Sequence, residues 1–300
     1  MKLKATAYLI IGIFILTGCK KDKLTFDSFK SNNETPSQHF TVQGGVATQI
    51  HGNKGCTVSF AANSFSVIDG VTYNGTVEIE LKELYTKREM IISGVPTGRD
   101  SSLLVSQGVY YLKAQKLNGD ELVISEFSIS KEWSPYPTDQ TVLPFLGGSR
   151  YGSEDDFGWS NTSGSVTDTV YNGDTGYYTM YLASTYYAEQ NFNWINCDFF
   201  WGDTLERGDI ALPCLGVPNN AKSYLAFKDI NSVARGNYYN GEFYFSNFPV
   251  GREVTFLAYY IDDGKIFAAT TELTIADNLS VPVTFSEVSE EDLLDLMDGL

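Results

Sequence analysis

Histidine and cysteine are scarce in this chain: two of the first, His39 and His51, and four of the second among 300 residues. The histidines are not spaced as a metal pair and no Cys-x-x-Cys occurs. The donor sets of zinc and iron–sulfur sites are therefore missing, and no metal or other cofactor is expected. Basic residues are outnumbered, 21 against 37 acids, for a net charge of −16. A body of that sign does not favour nucleic acid or anionic lipid head groups. No apolar run approaches the roughly 20 residues of a membrane-spanning helix; residues 5–16 fall short. Also missing are Gly-x-Ser-x-Gly, a phosphate-binding glycine loop and His-Glu-x-x-His, which removes the usual signposts of hydrolase and nucleotide chemistry.

The chain does have a distinctive start. Lys2 and Lys4 precede an apolar core that closes in Leu16-Thr17-Gly18-Cys19. Basic start, apolar core and small-residue cleavage site make a secretory signal. Ending it in Leu-Thr-Gly-Cys resembles the lipobox of bacterial lipoproteins. That resemblance implies removal of residues 1–18, diacylglycerol and N-acyl chains on Cys19, and a body tethered to a membrane by lipid. More than one acyl chain suffices for stable attachment. In Gram-negative lipoproteins an Asp after the Cys favours inner-membrane retention, so Lys20 implies the outer membrane. The periplasmic or cell-surface side is left open. Loss of residues 1–18, with two lysines and no acid, takes the net charge from −16 to −18.

The body reads as all-β. Residues 24–38 are rich in Ser, Asn, Glu and Thr, so residues 19–39 are expected to be the lipidated Cys and a flexible tether. From Phe40 apolar residues alternate with polar ones. Val77, Ile79 and Leu81 face inward between Glu78, Glu80 and Lys82, the clearest strand in the chain. Asn74-Gly75 and Asn118-Gly119 are hairpin signals. Residues 83–90 suit one helical turn, 131–148 read as a Pro-containing connector, and 166–171 and 177–184 flank a longer hairpin turn. This gives an N-terminal β domain over 40–190. A C-terminal β-sandwich over 191–286 follows, with strands expected at 194–200, 223–230, 242–246, 252–261, 266–275 and 281–285. Residues 287–300 form a short α-helix, capped by Ser289 with Glu290, Glu291 and Asp292 in its first turn. Its stripe of Leu293, Leu296, Met297 and Leu300 is expected to dock on the second sandwich.

Gly44-Gly45-Val46, then Gly55-Cys56-Thr57-Val58-Ser59-Phe60 and Gly75-Thr76-Val77-Glu78-Ile79, resemble the ZU-type β-sandwich of ankyrins and netrin receptors. They resemble more closely Bacteroidetes-type outer-membrane lipoproteins of the same layout. Phe243 to Phe248 followed by Pro249-Val250-Gly251 resembles carboxypeptidase-regulatory or transthyretin-like sandwiches. ZU-type modules carry no catalytic residues, so the resemblance implies none here.

With Cys19 lipidated, Cys56, Cys197 and Cys214 remain. An odd remainder leaves at least one free thiol or an intermolecular bond, and sequence does not fix connectivity. If a disulfide forms, Cys197–Cys214 is the expected pair, worth roughly 3 kcal/mol in the chain-entropy model. Cys56 is then a buried free thiol. Ser128-Ile129-Ser130-Lys131 matches Ser-x-x-Lys in letters, but it ends a strand pattern, whereas the penicillin-binding motif opens a helix. Glu78 and Glu80 share a strand face as glycosidase carboxylates do, though a solvated face explains both. Glu154-Asp155-Asp156 and Asp174 lack calcium-loop spacing. An aromatic belt runs from Tyr177 to Trp201, and aromatic platforms bind sugars and proteins. Its candidate ligand-binding members are Tyr178, Tyr181, Tyr187, Trp194 and Trp201, set against core packing as the default. The expected function is a non-catalytic binding or structural module on the outer membrane. Its partners are the membrane through its lipid and a protein or glycan. A surface glycan-binding lipoprotein is the alternative, and an envelope enzyme the last.

Overall fold

The computed structural model describes residues 23–99, 102–133, 142–149, 157–161, 164–171, 175–183, 193–200 and 205–300. The chain is all-β with three short helices. In order come α1 (Phe26–Asn33), β1 (Gln38–Gln43), β2 (Thr48–His51), β3 (Thr57–Phe60), β4 (Phe65–Ser66), β5 (Thr76–Leu84) and α2 (Lys87–Ser93). Next are β6 (Gly98–Arg99), β7 (Ser102–Lys116), β8 (Glu121–Ile124), β9 (Glu126–Trp133), β10 (Leu143–Ser149), β11 (Phe157–Asn161), β12 (Ser165–Tyr171), β13 (Thr175–Ala183) and β14 (Trp194–Phe200). The remainder comprises β15 (Arg207–Pro213), β16 (Lys222–Phe227), β17 (Val233–Arg235), β18 (Asn237–Tyr239), β19 (Glu242–Pro249), β20 (Glu253–Asp262), β21 (Lys265–Thr274), β22 (Leu279–Ser280), β23 (Ser286–Val288) and α3 (Glu290–Asp298).

Two sandwiches result. In the first, the five-stranded sheet β12-β13-β9-β3-β2 faces a sheet built on β5, β7, β14 and β10. Alternation places Val58, Ile129 and Met180 of the first sheet, and Val77, Ile79, Leu81 and Leu112 of the second, in one core. The expected strand at Val77–Leu81 is present, its apolar residues fully buried. It pairs with β1 and β7 rather than with residues 71–73, so Asn74-Gly75 does not close the expected hairpin. Asn118-Gly119 does join β7 to β8. The chain then changes sheets at Ser125, whose N–H and hydroxyl donate to Ser64 O at 2.7 and 3.0 Å.

In the second sandwich β17-β16-β20-β21-β23 faces β18-β19-β15-β22. Leu225, Phe227, Val254, Phe256 and Ala258 meet Ile210, Leu212, Phe243, Phe245 and Phe248 in a separate core. The other face of the same sheet is also covered. Tyr224, Leu257, Tyr259, Ile266 and Ala268 pack against Phe29 of α1, Ile91 and Ile92 of α2, and Leu293 and Met297 of α3. A strand buried on both faces needs a continuous apolar run, which is why Phe256-Leu257-Ala258-Tyr259 does not alternate.

Each helix is closed by a capping box: Thr25 with Ser28, Thr86 with Glu89, Ser289 with Asp292. Helix α2 stops at Gly94, whose φ of 73° suits glycine. Helix α3 docks as its stripe predicts, with Leu293 and Met297 buried and Leu296 and Leu300 partly so. It rests on helices as well as on the sheet: α3 lies beside α2, and Asn33 of α1 donates to Glu290 at 2.6 Å.

Three expectations need correction. The tether is not free from Leu24 onwards: α1 occupies it because Phe26 and Phe29, one turn apart, both reach the Tyr259 ring, at 5.8 and 5.9 Å. The 194–200 strand belongs with the first sandwich, pairing with β7 and β10. The connector at 131–148 begins and ends as strand, in β9 and β10.

The two sandwiches share backbone. Strand β17 pairs in parallel with β6 through Ala234 and Gly98. Asn231 Nδ2 donates to Tyr85 O at 3.1 Å and to Ser106 O at 3.0 Å, and Asn231 O accepts from Ser106 N–H at 3.0 Å. Thr97 Oγ1 lies 3.1 Å from Ser232 Oγ and accepts from Val233 N–H at 2.9 Å. No helix among the described residues is long and apolar enough to cross a membrane.

Candidate functional site

The widest concavity described, 790 Å³, is an open groove over the outer face of the five-stranded sheet. Strand register builds it. Ser165 pairs with Tyr181, Tyr181 with Ser128, Ser128 with Ser59 and Ser59 with Gln49, so one row of side chains crosses all five strands. Period-two geometry points this row outward, while Leu182, Phe127 and Phe60 beside it point into the core. A bulky residue next to small ones leaves a hollow, and here Tyr181 stands alone among serines. It is 49% exposed, and Gln49 Nε2 donates to Ser59 Oγ at 3.0 Å. The next row outward is also hydroxylic: Thr167, Thr179, Ser130 and Thr57, ending at His51. Thr179 Oγ1 donates to Ser130 Oγ at 3.3 Å, and His51 Nδ1 lies 3.1 Å from Thr57 Oγ1. Besides Tyr181, Glu126 is the one titratable residue among the described residues that line the groove.

The sequence-predicted aromatics do not assemble into one platform. Tyr178 is fully buried on the inner face, which overturns its candidacy as a ligand contact. Strand alternation sends it inward and Tyr181 outward. Trp194 lies on the opposite side of the sandwich, half-buried, edge-on to Tyr111 at 5.2 Å. There it lines a smaller cleft of 340 Å³ with Glu34, Glu80 and Lys82. Tyr187 and Trp201 lie outside the described residues, as do Cys19, the acids at 154–156 and Asp174. The expected Cys197–Cys214 disulfide is absent: Cys56, Cys197 and Cys214 are all free and buried. The physical reason is that Cys197 packs in the first core and Cys214 in the second.

Sequence reasoning missed the groove's serines, which carry no signal until register aligns them. It also missed a buried polar chain. Glu83 accepts from Gln38 Nε2 at 3.0 Å, from the N–H groups of Lys54 and Cys56 at 3.0 and 3.1 Å, and from Tyr85 Oη at 2.8 Å. Tyr85 Oη reaches Tyr110 Oη at 3.4 Å, and Tyr110 bonds Tyr178. Burial pushes the Glu83 carboxyl up, but the donors together hold it below its ordinary value. Burial, with the Glu83 charge beside it, raises the Cys56 thiol. The Asp198 carboxyl stands well above the carboxylate range because it is buried, although Ser106, Gln107 N–H and Asn196 oppose the shift. Asp198 lines none of the cavities that the described residues form around Tyr181, Asn231, Trp194 and Phe29. Glu78 and Glu80 accept side-chain hydrogen bonds, from Gln115 and Ser37 respectively. No cluster of three or more His, Cys, Asp or Glu residues suited to a metal occurs among the described residues.

No protein-family model matches the chain, and neither a curated protein nor a solved structure matches it.

Proposed function

We propose that this chain is a lipid-anchored, non-catalytic binding module of the outer membrane, attached through Cys19 and taking its ligand in the groove around Tyr181. The observation that carries the binding role is the chemistry of that groove. It offers one exposed ring, a row of hydroxyls and an amide, all hydrogen-bonding or stacking groups. Glycoside hydrolysis needs two carboxyl groups flanking one bond, and Glu126 is the one carboxyl group among the described residues that line the groove. The lipobox-like Leu16-Thr17-Gly18-Cys19 supports the anchor. Replacing Cys19 with Ala should release the protein into the soluble fraction and abolish labelling by a fatty-acid precursor. Retention of label by Cys19→Ala would sink the anchor.

A glycan is the second reading, favoured by Tyr181 among Ser59, Ser128 and Ser165. A ring flanked by small hydroxylic residues presents a stacking surface and donors to a sugar. Affinity electrophoresis of wild type and Tyr181→Ala in polysaccharide gels tests it. Retardation that vanishes in the variant, with its melting temperature unchanged, supports a glycan. Equal mobility of both proteins in every polysaccharide would point to a protein partner instead.

A further inference from the structure

We infer that the body stands on the lipid surface by one end of its second sandwich, carrying Leu215, Tyr239 and the β20–β21 turn, and holds the groove sandwich away from the bilayer. The inference rests on the Cys19 anchor proposed above.

The argument starts from the length of chain between the anchor and the folded body. Lys23 is already docked: its ammonium pairs with Asp263, and its Cβ lies 3.4 Å from where a Cβ on Gly264 would stand. Asp263 and Gly264 form the β20–β21 turn, with φ of 48° and 81°. Only Lys20, Lys21 and Asp22 separate Lys23 from Cys19. Four Cα–Cα steps span at most about 14 Å even fully extended. An acylated Cys19 would therefore hold this turn at the membrane surface.

Topology then identifies what else lies at that end. Strand β16 begins opposite the end of β20, with Lys222 paired to Tyr259, so the preceding loop 214–221 shares the end with the β20–β21 turn. That loop leaves β15 at Pro213, which pairs with Glu242, and Cys214 N–H donates to Gly241 O in the β18–β19 turn at 2.8 Å. Three turns thus converge on one end. Two of them expose large apolar side chains: Leu215 is 98% exposed and Tyr239 71%. An aliphatic residue and a Tyr on turns joined by a backbone hydrogen bond suit the headgroup boundary, where aromatic rings with a polar tip collect. At this end Lys23 pairs with Asp263 and Lys265 with Glu287, while Asp262 and Glu242 add acidic charge. The contact is then with the neutral boundary rather than with an anionic surface.

The opposite end of the second sandwich is where the first one joins. The β16–β17 turn holds Asn231, which bonds Tyr85 and Ser106 of the first sandwich. Strand β7 leaves that junction and carries the groove sandwich onward. A membrane at the Leu215 end thereby leaves the Tyr181 groove free to meet a ligand.

The test uses the full acylated chain in vesicles of phosphatidylethanolamine and phosphatidylglycerol containing a brominated lipid. A fluorophore is placed singly at Leu215→Cys, Tyr239→Cys, Ile68→Cys or Leu117→Cys. The native thiols Cys56, Cys197 and Cys214 are buried and leave the label site-selective. Ile68 and Leu117 are exposed on turns of the first sandwich. Emission should be lost at 215 and 239 and kept at 68 and 117. Equal emission at all four sites, or loss at 68 or 117, overturns the orientation. Flotation of the same samples separates the two claims. A chain that floats with an unexpected quenching pattern keeps its anchor and loses this orientation. A chain that does not float loses both.

Discussion

Cys56 donates its backbone N–H to Glu83 Oε2 at 3.1 Å, and Glu83 has no exposed surface. The carboxylate is one of the few charges buried among the described residues, and it is held ionised by four donors from three segments, around Gln38, Lys54–Cys56 and Tyr85. Its folded pKa is below the ordinary value, the burial penalty being outweighed by those hydrogen bonds. An unfolded Glu titrates near about 4.3. The stabilisation is therefore fully present above that pH and is lost as pH falls through the lower folded value. Glu83→Gln should cost about 1.5–3 kcal/mol at neutral pH. It should also flatten the acid limb of a plot of melting temperature against pH. A variant as stable as wild type at pH 7 would contradict this role.

The three described thiols should be silent in the native protein. Burial raises the pKa of Cys56, Cys197 and Cys214 alike, and the nucleophile is the thiolate. A thiol reagent should titrate none of them until denaturant is added, then all three. Reduction should leave the melting temperature unchanged. A drop on reduction would revive the Cys197–Cys214 bond.

The junction between the sandwiches should unfold with them. Asn231→Ala removes the donor to two backbone carbonyls, Tyr85 O and Ser106 O. Both contacts are part-buried, so their loss should cost about 0.5–1.5 kcal/mol each, the net worth of an ordinary hydrogen bond. Calorimetry should show a lower melting temperature, and splitting of one transition into two would indicate that the sandwiches had uncoupled. An unchanged thermogram would contradict the coupling assigned to Asn231.

Helix α3 should be integral to the second unit. Leu293 and Met297 are 0% and 1% exposed, and truncation of such residues to Ala costs about 2–5 kcal/mol. Leu293→Ala should lower the melting temperature, whereas Asp295→Ala, on the exposed side, should leave it nearly unchanged. Equal effects would mean that the stripe does not pack.

Much of this fold was legible where one residue pattern had one solution. Alternation around Val77, Ile79 and Leu81 fixed a strand and its buried face. Asn118-Gly119 marked a turn, and the stripe from Leu293 to Leu300 marked a docked helix. What failed was pairing and burial at a distance. Asn74-Gly75 sits beside a strand whose partners, β1 and β7, come from elsewhere in the chain. The helix at Phe26–Asn33 was missed in a stretch rich in polar residues because the partner of Phe26 and Phe29, Tyr259, is more than two hundred residues away. Tyr178 and Tyr181 are three apart in one aromatic run, and only the side of β13 each occupies tells core from surface. The groove was the least legible feature. Ser59, Ser128 and Ser165 are unremarkable singly, and register alone aligns them beside Tyr181.

The account turns on Cys19, and intact-mass and peptide mass spectrometry of the protein extracted from membranes addresses it directly. The chain should begin at Cys19 and carry the added mass of a diacylglyceryl group and an N-acyl chain. A chain that retains residues 1–18, or a Cys19 without lipid, would contradict the anchor and every orientation drawn from it.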